Sequence, residues 1–204
     1  MLIFVAPRAS ETNMAKAILG KKIGMTTIYN EDKEALNVTL VECFSKVSML
    51  RTEEKNGYSA VQIEIPKTKK RIFKKEFKIE KAEEETLKAG DDISIDVFEI
   101  GEKVKVSGIT KAKGFQGVVK RHGFKGSPKT HGHKHDLRAP GSIGSGFPEH
   151  VTKGKRMAGR MGGKRATSKN VKIVFMDKEK NIIGVKGAVP GVAGRIVEIV
   201  KSNQ

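Results

Sequence analysis

Short stretches in which apolar and polar residues alternate recur along much of the chain, the pattern of strands with one buried face. Ala17-Ile18-Leu19-Gly20 and Met25-Thr26-Thr27-Ile28-Tyr29 read as two such strands. The polar run Asn30-Glu31-Asp32-Lys33 turns the chain into residues 36–44, where Leu36, Val38 and Leu40 alternate before Val41 and Cys43 break the pattern. The period is cleaner over 58–65, with Val61, Ile63 and Ile65 on one face. It returns at Ile93, Ile95 and Val97 and briefly at Val104 and Val106. Residues 171–176 and 182–185 flank Asp177-Lys178-Glu179-Lys180-Asn181, a hairpin loop by composition, and 195–200 supply a last strand. Residues 80–89 are good helix formers ending at Gly90, so a short helix is expected there; Phe73, Phe77 and Ile79 fit a strand or a helix. Many short strands punctuated by glycine favour a mainly β fold, a small closed β-barrel, over a parallel α/β sheet.

Charge changes the picture. The 204 residues hold 40 Lys and Arg against 23 Asp and Glu, a net +17, which attracts polyanions and makes nucleic acid the expected partner. The excess is local: residues 103–170 carry 17 Lys or Arg against only Asp136 and Glu149, together with 13 of the 22 glycines and all five histidines. Outside that window the charges nearly cancel. So basic and Gly-rich a stretch buries too little apolar surface to offset its ordering entropy, and it needs a polyanionic surface to hold it. A single cysteine excludes a disulfide framework and a Cys-rich zinc finger. No apolar run reaches the ~18–20 residues of a membrane-spanning helix. Leu2-Ile3-Phe4-Val5-Ala6 is too short for a secretory apolar core, and Met14-Ala15-Lys16 precedes the first strand, so residues 1–13 are expected to be a non-essential, disordered leader.

Catalytic motifs mostly fail on inspection. Gly162-Gly163-Lys164 resembles a phosphate loop, but Ala158 stands where that loop needs its first Gly and Arg165 where it needs Ser or Thr. Gly144-Ser145-Gly146 does not extend to a dinucleotide fingerprint, because Glu149 occupies the third Gly position. In His131-Gly132-His133-Lys134-His135 the three imidazoles share a face if the chain is extended, and three histidines can hold zinc. Lys129 and Lys134 would repel a dication and few carboxylates are near to orient the rings, so hydrogen bonding and stacking on phosphates and bases suit them better. Cys43, among apolar residues, reads as a small buried hydrophobe. Phe115, Val118, Val119 and His122 have the spacing of one helix face, leaving Lys120 and Arg121 off it for phosphates and Gly123 and Gly126 to end the helix.

Several segments resemble one known family. Ile18-Leu19-Gly20-Lys21-Lys22-Ile23-Gly24-Met25-Thr26 is similar to the start of the bacterial large-subunit ribosomal protein three family. Lys113-Gly114-Phe115-Gln116-Gly117-Val118-Val119-Lys120-Arg121, then Gly132-His133, then Pro140-Gly141-Ser142-Ile143-Gly144 continue the likeness in order. Lys153-Gly154-Lys155-Arg156-Met157-Ala158-Gly159 and Val185-Lys186-Gly187-Ala188-Val189-Pro190-Gly191 complete it, so the resemblance runs from about 15 to 201.

The resemblance implies a translation-protein-type β-barrel from 14–110 and 171–204, a small inserted α+β subdomain at about 56–92, and a basic RNA-penetrating extension at 111–170. It implies a structural constituent of the large subunit, not an enzyme, that binds 23S rRNA near its 3′ end, nucleates 50S assembly and works in the ribosome in the cytoplasm. Its partners would be 23S rRNA and neighbouring large-subunit ribosomal proteins, with no membrane, small-molecule substrate, cofactor or metal. The loop tip nearing the peptidyl transferase centre would be Met157, Ala158, Gly159, Arg160, Met161, Gly162 and Gly163. Many bacterial members have a Gln in that segment, sometimes methylated; here the residue is Arg160. The residues expected on RNA begin with Lys111, Lys113, Lys120, Arg121, His122, Lys125 and Lys129. They continue through His131, His133, Lys134, His135 and Arg138 to Lys153, Lys155, Arg156, Arg160, Lys164, Arg165 and Lys169. Arginine suits bridging two phosphates or stacking on a base better than lysine does. The rival readings are a metal-dependent nucleic-acid-processing enzyme using the histidines and a general polyanion-binding chaperone.

Overall fold

The computed structural model describes residues 17–30, 33–68, 70–79 and 87–202. The expected leader and most of the expected helix at 80–89 lie outside them; Leu87 and Lys88 are not helical, and Ala89-Gly90 form a turn. The chain is mainly β. In order come β1 (Ala17–Tyr29), β2 (Ala35–Glu42), β3 (Ser45–Arg51), α1 (Glu53–Asn56), β4 (Ala60–Thr68), β5 (Arg71–Lys78), β6 (Asp92–Ile93) and β7 (Lys103–Ile109). They are followed by β8 (Phe115–Gln116), α2 (Val118–His122), β9 (Gly159–Arg160), β10 (Arg165–Asp177), β11 (Ile182–Lys186) and β12 (Ile196–Lys201).

Six strands pair antiparallel in a ring, β1-β12-β7-β10-β11-β2 and back to β1, a closed barrel with no free edge among them. Alternation fills it: Val104 and Val106, Ile183 and Val185, Val197 and Ile199 are fully buried on alternate positions. Each such side chain contributes roughly 1.5–3 kcal/mol by leaving water. Gly20 belongs to that packing, since a Cβ there would stand 2.3 Å from Val41 Cγ1.

β1 is one strand of 13 residues, where two short ones are expected. The polar Lys21-Lys22 pair does not interrupt it, because Lys22 is buried with its Nζ donating to the carbonyls of Val189 (2.8 Å) and Gly191 (3.1 Å). The register against β2 shifts between Lys22 and Gly24, opposite Val41 and Leu40. The extra residue, Ile23, is on β1; in β2 Val38, Thr39 and Val41 are buried and Leu40 is half-buried.

A second sheet, ordered β5-β4-β3-β6, lies in sequence between β2 and β7 and shares the barrel's apolar core through Val61, Ile63 and Ile65. It begins at Ser45, earlier than the 56 expected for an insertion, and Ser45 Oγ donates to the Leu19 carbonyl of β1 at 2.6 Å. Arg51 of β3 reaches over β4 to Glu76 of β5 at 2.8 Å, which holds the Glu76 carboxyl below its usual range. Ile93 is in a strand, but Ile95–Val97 form a 3-10 turn capped by Ser94, whose hydroxyl accepts from the Asp96 amide. Phe73 and Phe77 lie in a strand, β5.

The chain divides into two compact units, one made of Met1–Ile109 with Arg165–Gln204 and one of Thr110–Lys164. Residues 165–170, counted with the basic stretch by charge alone, are strand: Arg165, Ala166, Thr167 and Ser168 pair with Ile109, Gly108, Ser107 and Val106 of β7.

Candidate nucleic-acid interface

The unit Thr110–Lys164 is held by its own two ends. Thr110 N donates to the Lys164 carbonyl (2.9 Å), Lys113 N to the Met161 carbonyl (2.9 Å) and Met161 N to the Gly114 carbonyl (2.9 Å). β8 then pairs with β9, Phe115 opposite Arg160 and Gln116 opposite Gly159. Gly162 sits inside this stem at φ +73°, with the Lys111 carbonyl oxygen 2.0 Å from where a Cβ would be, so no side chain fits.

α2 follows, shorter than expected. Phe115 and Gln116 are strand, Gly117 is the N-cap, and Gly123 ends the helix in the left-handed region. Phe115 is therefore on no helix face. Arg121 Nη1 donates to the Met157 carbonyl at 2.5 Å, and His122 Nε2 lies 3.1 Å from the same oxygen. These bonds pin the returning chain to the helix and leave Lys120 exposed.

Within this unit only Val118, 4 % exposed, is buried. The cations lie open: Lys111, Lys113, Lys125, Lys129, Lys134, Arg138, Lys153, Lys155, Arg156, Arg160 and Lys164 are all exposed, as are His131 and His135, with His133 half-buried. Among the described residues no three His, Cys, Asp or Glu side chains converge as metal ligands, so His131, His133 and His135 form no metal cradle. Cys43 lies in the other unit, where burial, with Glu42 beside it, pushes its thiol up to about 12, a neutral side chain at ordinary pH.

The family profile described as Ribosomal protein L3 matches residues 72–182. The large ribosomal subunit protein uL3 of Chloroherpeton thalassium is 44% identical over 208 aligned residues, 91% of this chain and 99% of that protein. That of Chlorobium limicola is 46% identical over 207, covering 90% and 97%. The chain belongs to the ribosomal protein L3 family.

An L3-family chain is a structural ribosomal protein and not an enzyme. In this L3-family chain the segment Met157-Ala158-Gly159-Arg160-Met161-Gly162-Gly163 is braced at Met157 by α2 and at Gly159, Arg160 and Met161 by the first residues of the unit. Three of the expected RNA residues, Arg121, His122 and Arg165, have side-chain partners inside the protein. Arg121 is turned to Met157, and Arg165 makes a bidentate pair with Glu198 of β12, a carboxylate only 7 % exposed. That bond lifts the Arg165 guanidinium above its ordinary value. Lys169 is exposed, in the other unit.

Charge counting missed Phe147. It is 87 % exposed, at a turn closed by Glu149 N donating to the Gly146 carbonyl (3.0 Å), with the Ser145 hydroxyl donating to the Phe147 carbonyl. Residues 139–152 hold no Lys or Arg, so this is an apolar presentation inside a basic unit. The sequence signal was available: a large aromatic between Gly146 and Pro148, with no periodic apolar neighbours to bury it.

Proposed function

We propose that this chain is a structural constituent of the large ribosomal subunit in the bacterial cytoplasm, bound to 23S rRNA near the 3′ end and to neighbouring large-subunit ribosomal proteins. It nucleates 50S assembly. Its barrel is of the translation-protein type, and Thr110–Lys164 is the RNA-penetrating extension, with residues 157–163 directed toward the peptidyl transferase centre. One observation carries the reading: a 55-residue unit with 13 Lys or Arg, two acids and a single buried residue has no core of its own to order it. Polyanion neutralisation supplies what burial does not. Lys153, Lys155, Arg156 and Arg160 neutralise phosphates beside the braced segment. Lys111, Lys113, Lys120, Lys125, Lys129, Lys134, Arg138 and Lys164 do so along the rest, and His131, His133 and His135 donate to phosphates and bases. Phe147 and Phe115, both exposed aromatics, offer faces for unstacked bases. The printed names of the relatives, large ribosomal subunit proteins, support the assembly to which the role is assigned.

The test is the salt dependence of binding to a 3′-terminal 23S rRNA fragment. Contacts to about six to ten phosphates predict a loss of roughly 10³–10⁵ in affinity between 50 and 200 mM salt. Replacing Lys153, Lys155, Arg156 and Arg160 together by Ala should flatten the log–log slope by about three. A response indifferent to salt, or equal affinity for any duplex of the same length, rejects the proposal.

A further inference from the structure

The guanidinium of Arg121 is turned back over β9. Its Nη1 donates to the Met157 carbonyl at 2.5 Å, and His122 Nε2 stands 3.1 Å from the same oxygen, so two successive side chains meet one acceptor. Nη1, Cζ and Nη2 of Arg121 also lie 2.6, 3.1 and 3.5 Å from where a Cβ on Gly159 would stand, and no other heavy atom is nearer. Three atoms of one planar group at those distances put the guanidinium in the space that a side chain at 159 would fill. Gly159 has no left-handed backbone to call for glycine. Its missing Cβ answers to Arg121.

β9 is therefore gripped from two sides. Gly159 and Arg160 pair with Gln116 and Phe115 of β8 along one edge. The chain then passes through Gly117 into α2, which brings Arg121 and His122 back to the segment. Lys120, their neighbour on α2, is exposed, whereas Arg121 and His122 are half-buried. Arginine suits this place, because a planar fork can bond a carbonyl and cover a peptide at once, which a compact ammonium cannot.

We infer that Arg121, assisted by His122, is a positioning residue for Met157–Gly163 and not a phosphate ligand. It fixes the path of the segment at Met157 and Gly159, and so the place at which the exposed Ala158 and Arg160 are presented. The inference rests on the proposed contact of this segment with 23S rRNA and assigns what sets its register there.

The experiment uses the full chain bound to the 23S rRNA fragment. A158C supplies an exposed tether, and the natural Cys43, 2 % exposed with a neutral thiol, does not compete for the label. An Fe(II) chelate at position 158 cuts nearby RNA with hydroxyl radicals, and discrete cuts are expected. R121K keeps the charge and loses the planar fork; G159A keeps every charge and displaces the guanidinium with one methyl group. Both are expected to replace the discrete cuts with weak, spread cleavage, while the salt slope and the barrel melting stay those of the A158C parent. H122F, which removes one of the two donors, should blur the cuts less, and R121A should also leave the slope unchanged. A phosphate ligand behaves otherwise: R121K would keep the cuts, and R121A would flatten the slope by about 0.7–0.9, one phosphate's share. That result overturns the inference. So do discrete cuts that survive in every variant, and so does a slope that R121K and G159A flatten together with the cuts, which marks a general loss of the unit's fold. A parent that binds with a steep slope but gives no discrete cuts takes Met157–Gly163 off the RNA and the inference with it, and leaves the rRNA binding standing. A parent indifferent to salt overturns the proposed function itself.

Discussion

A methyl group at position 162 has nowhere to go. Gly162 combines a left-handed backbone with the Lys111 carbonyl 2.0 Å from the Cβ site, on the strand-like stem that closes the basic unit. The left-handed conformation alone costs an ordinary residue about 1–2 kcal/mol, and the backbone clash adds to it. Gly162→Ala is therefore expected to open the stem and raise the rate of limited proteolysis within residues 110–164 by at least about tenfold, with the melting of the barrel unchanged. Unaltered cleavage would mean the stem is not what orders that unit. At this scale the sequence was a good guide to which side chains are cationic and open. It was a poor guide to which were engaged, since Arg121 and Arg165 find their partners 36 and 33 residues away. Glycine in 157–163 reads from sequence as freedom to approach RNA; at 162 the nearer cause is the protein's own carbonyl.

Period-2 patterning located nearly every strand but misjudged where several end. β1 runs through Lys21-Lys22 because a buried ammonium can satisfy backbone carbonyls, and β10 runs from Arg165 because its polar first half is paired with β7 rather than packed on a core. Neither cause leaves a hydrophobic signature. The expected helix at 115–122 lost its first turn to the pairing of Phe115 with Arg160, a contact across 45 residues that no local window contains. The Arg165–Glu198 pair is the stabilising counterpart of such long-range geometry, since it ties β10 to β12 across the intervening β7. Breaking a buried pair costs about 3–5 kcal/mol, and Arg165, with its side chain 47 % exposed, lowers that figure through solvent screening. Arg165→Ala should therefore cost about 1–3 kcal/mol in denaturant unfolding by stranding the Glu198 carboxylate, and R165A/E198A should recover part of the loss. Strictly additive losses would show that the two side chains are not coupled.

For the whole molecule, the charge map and the topology give different borders, 103–170 against Thr110–Lys164, because β7 and β10 are barrel strands that also carry lysines. One unit holds nearly all the buried side chains, and the other holds 13 Lys or Arg against two acids. Ile109 and Arg165 are register partners, so the chain leaves the barrel and returns to it at the same rung of one antiparallel ladder. A two-residue Asn-Gly turn, which matches the twist of a hairpin, can therefore replace Thr110–Lys164 and join β7 to β10 directly. None of the barrel's fully buried side chains lies in the excised stretch. The shortened protein is expected to unfold in a single cooperative transition with strand content retained by circular dichroism. Its binding to the 23S rRNA fragment should lose most of its salt dependence. A shortened chain that does not fold would mean that the basic unit stabilises the barrel. One that folds and binds with the full slope would move the RNA contact away from the basic unit altogether.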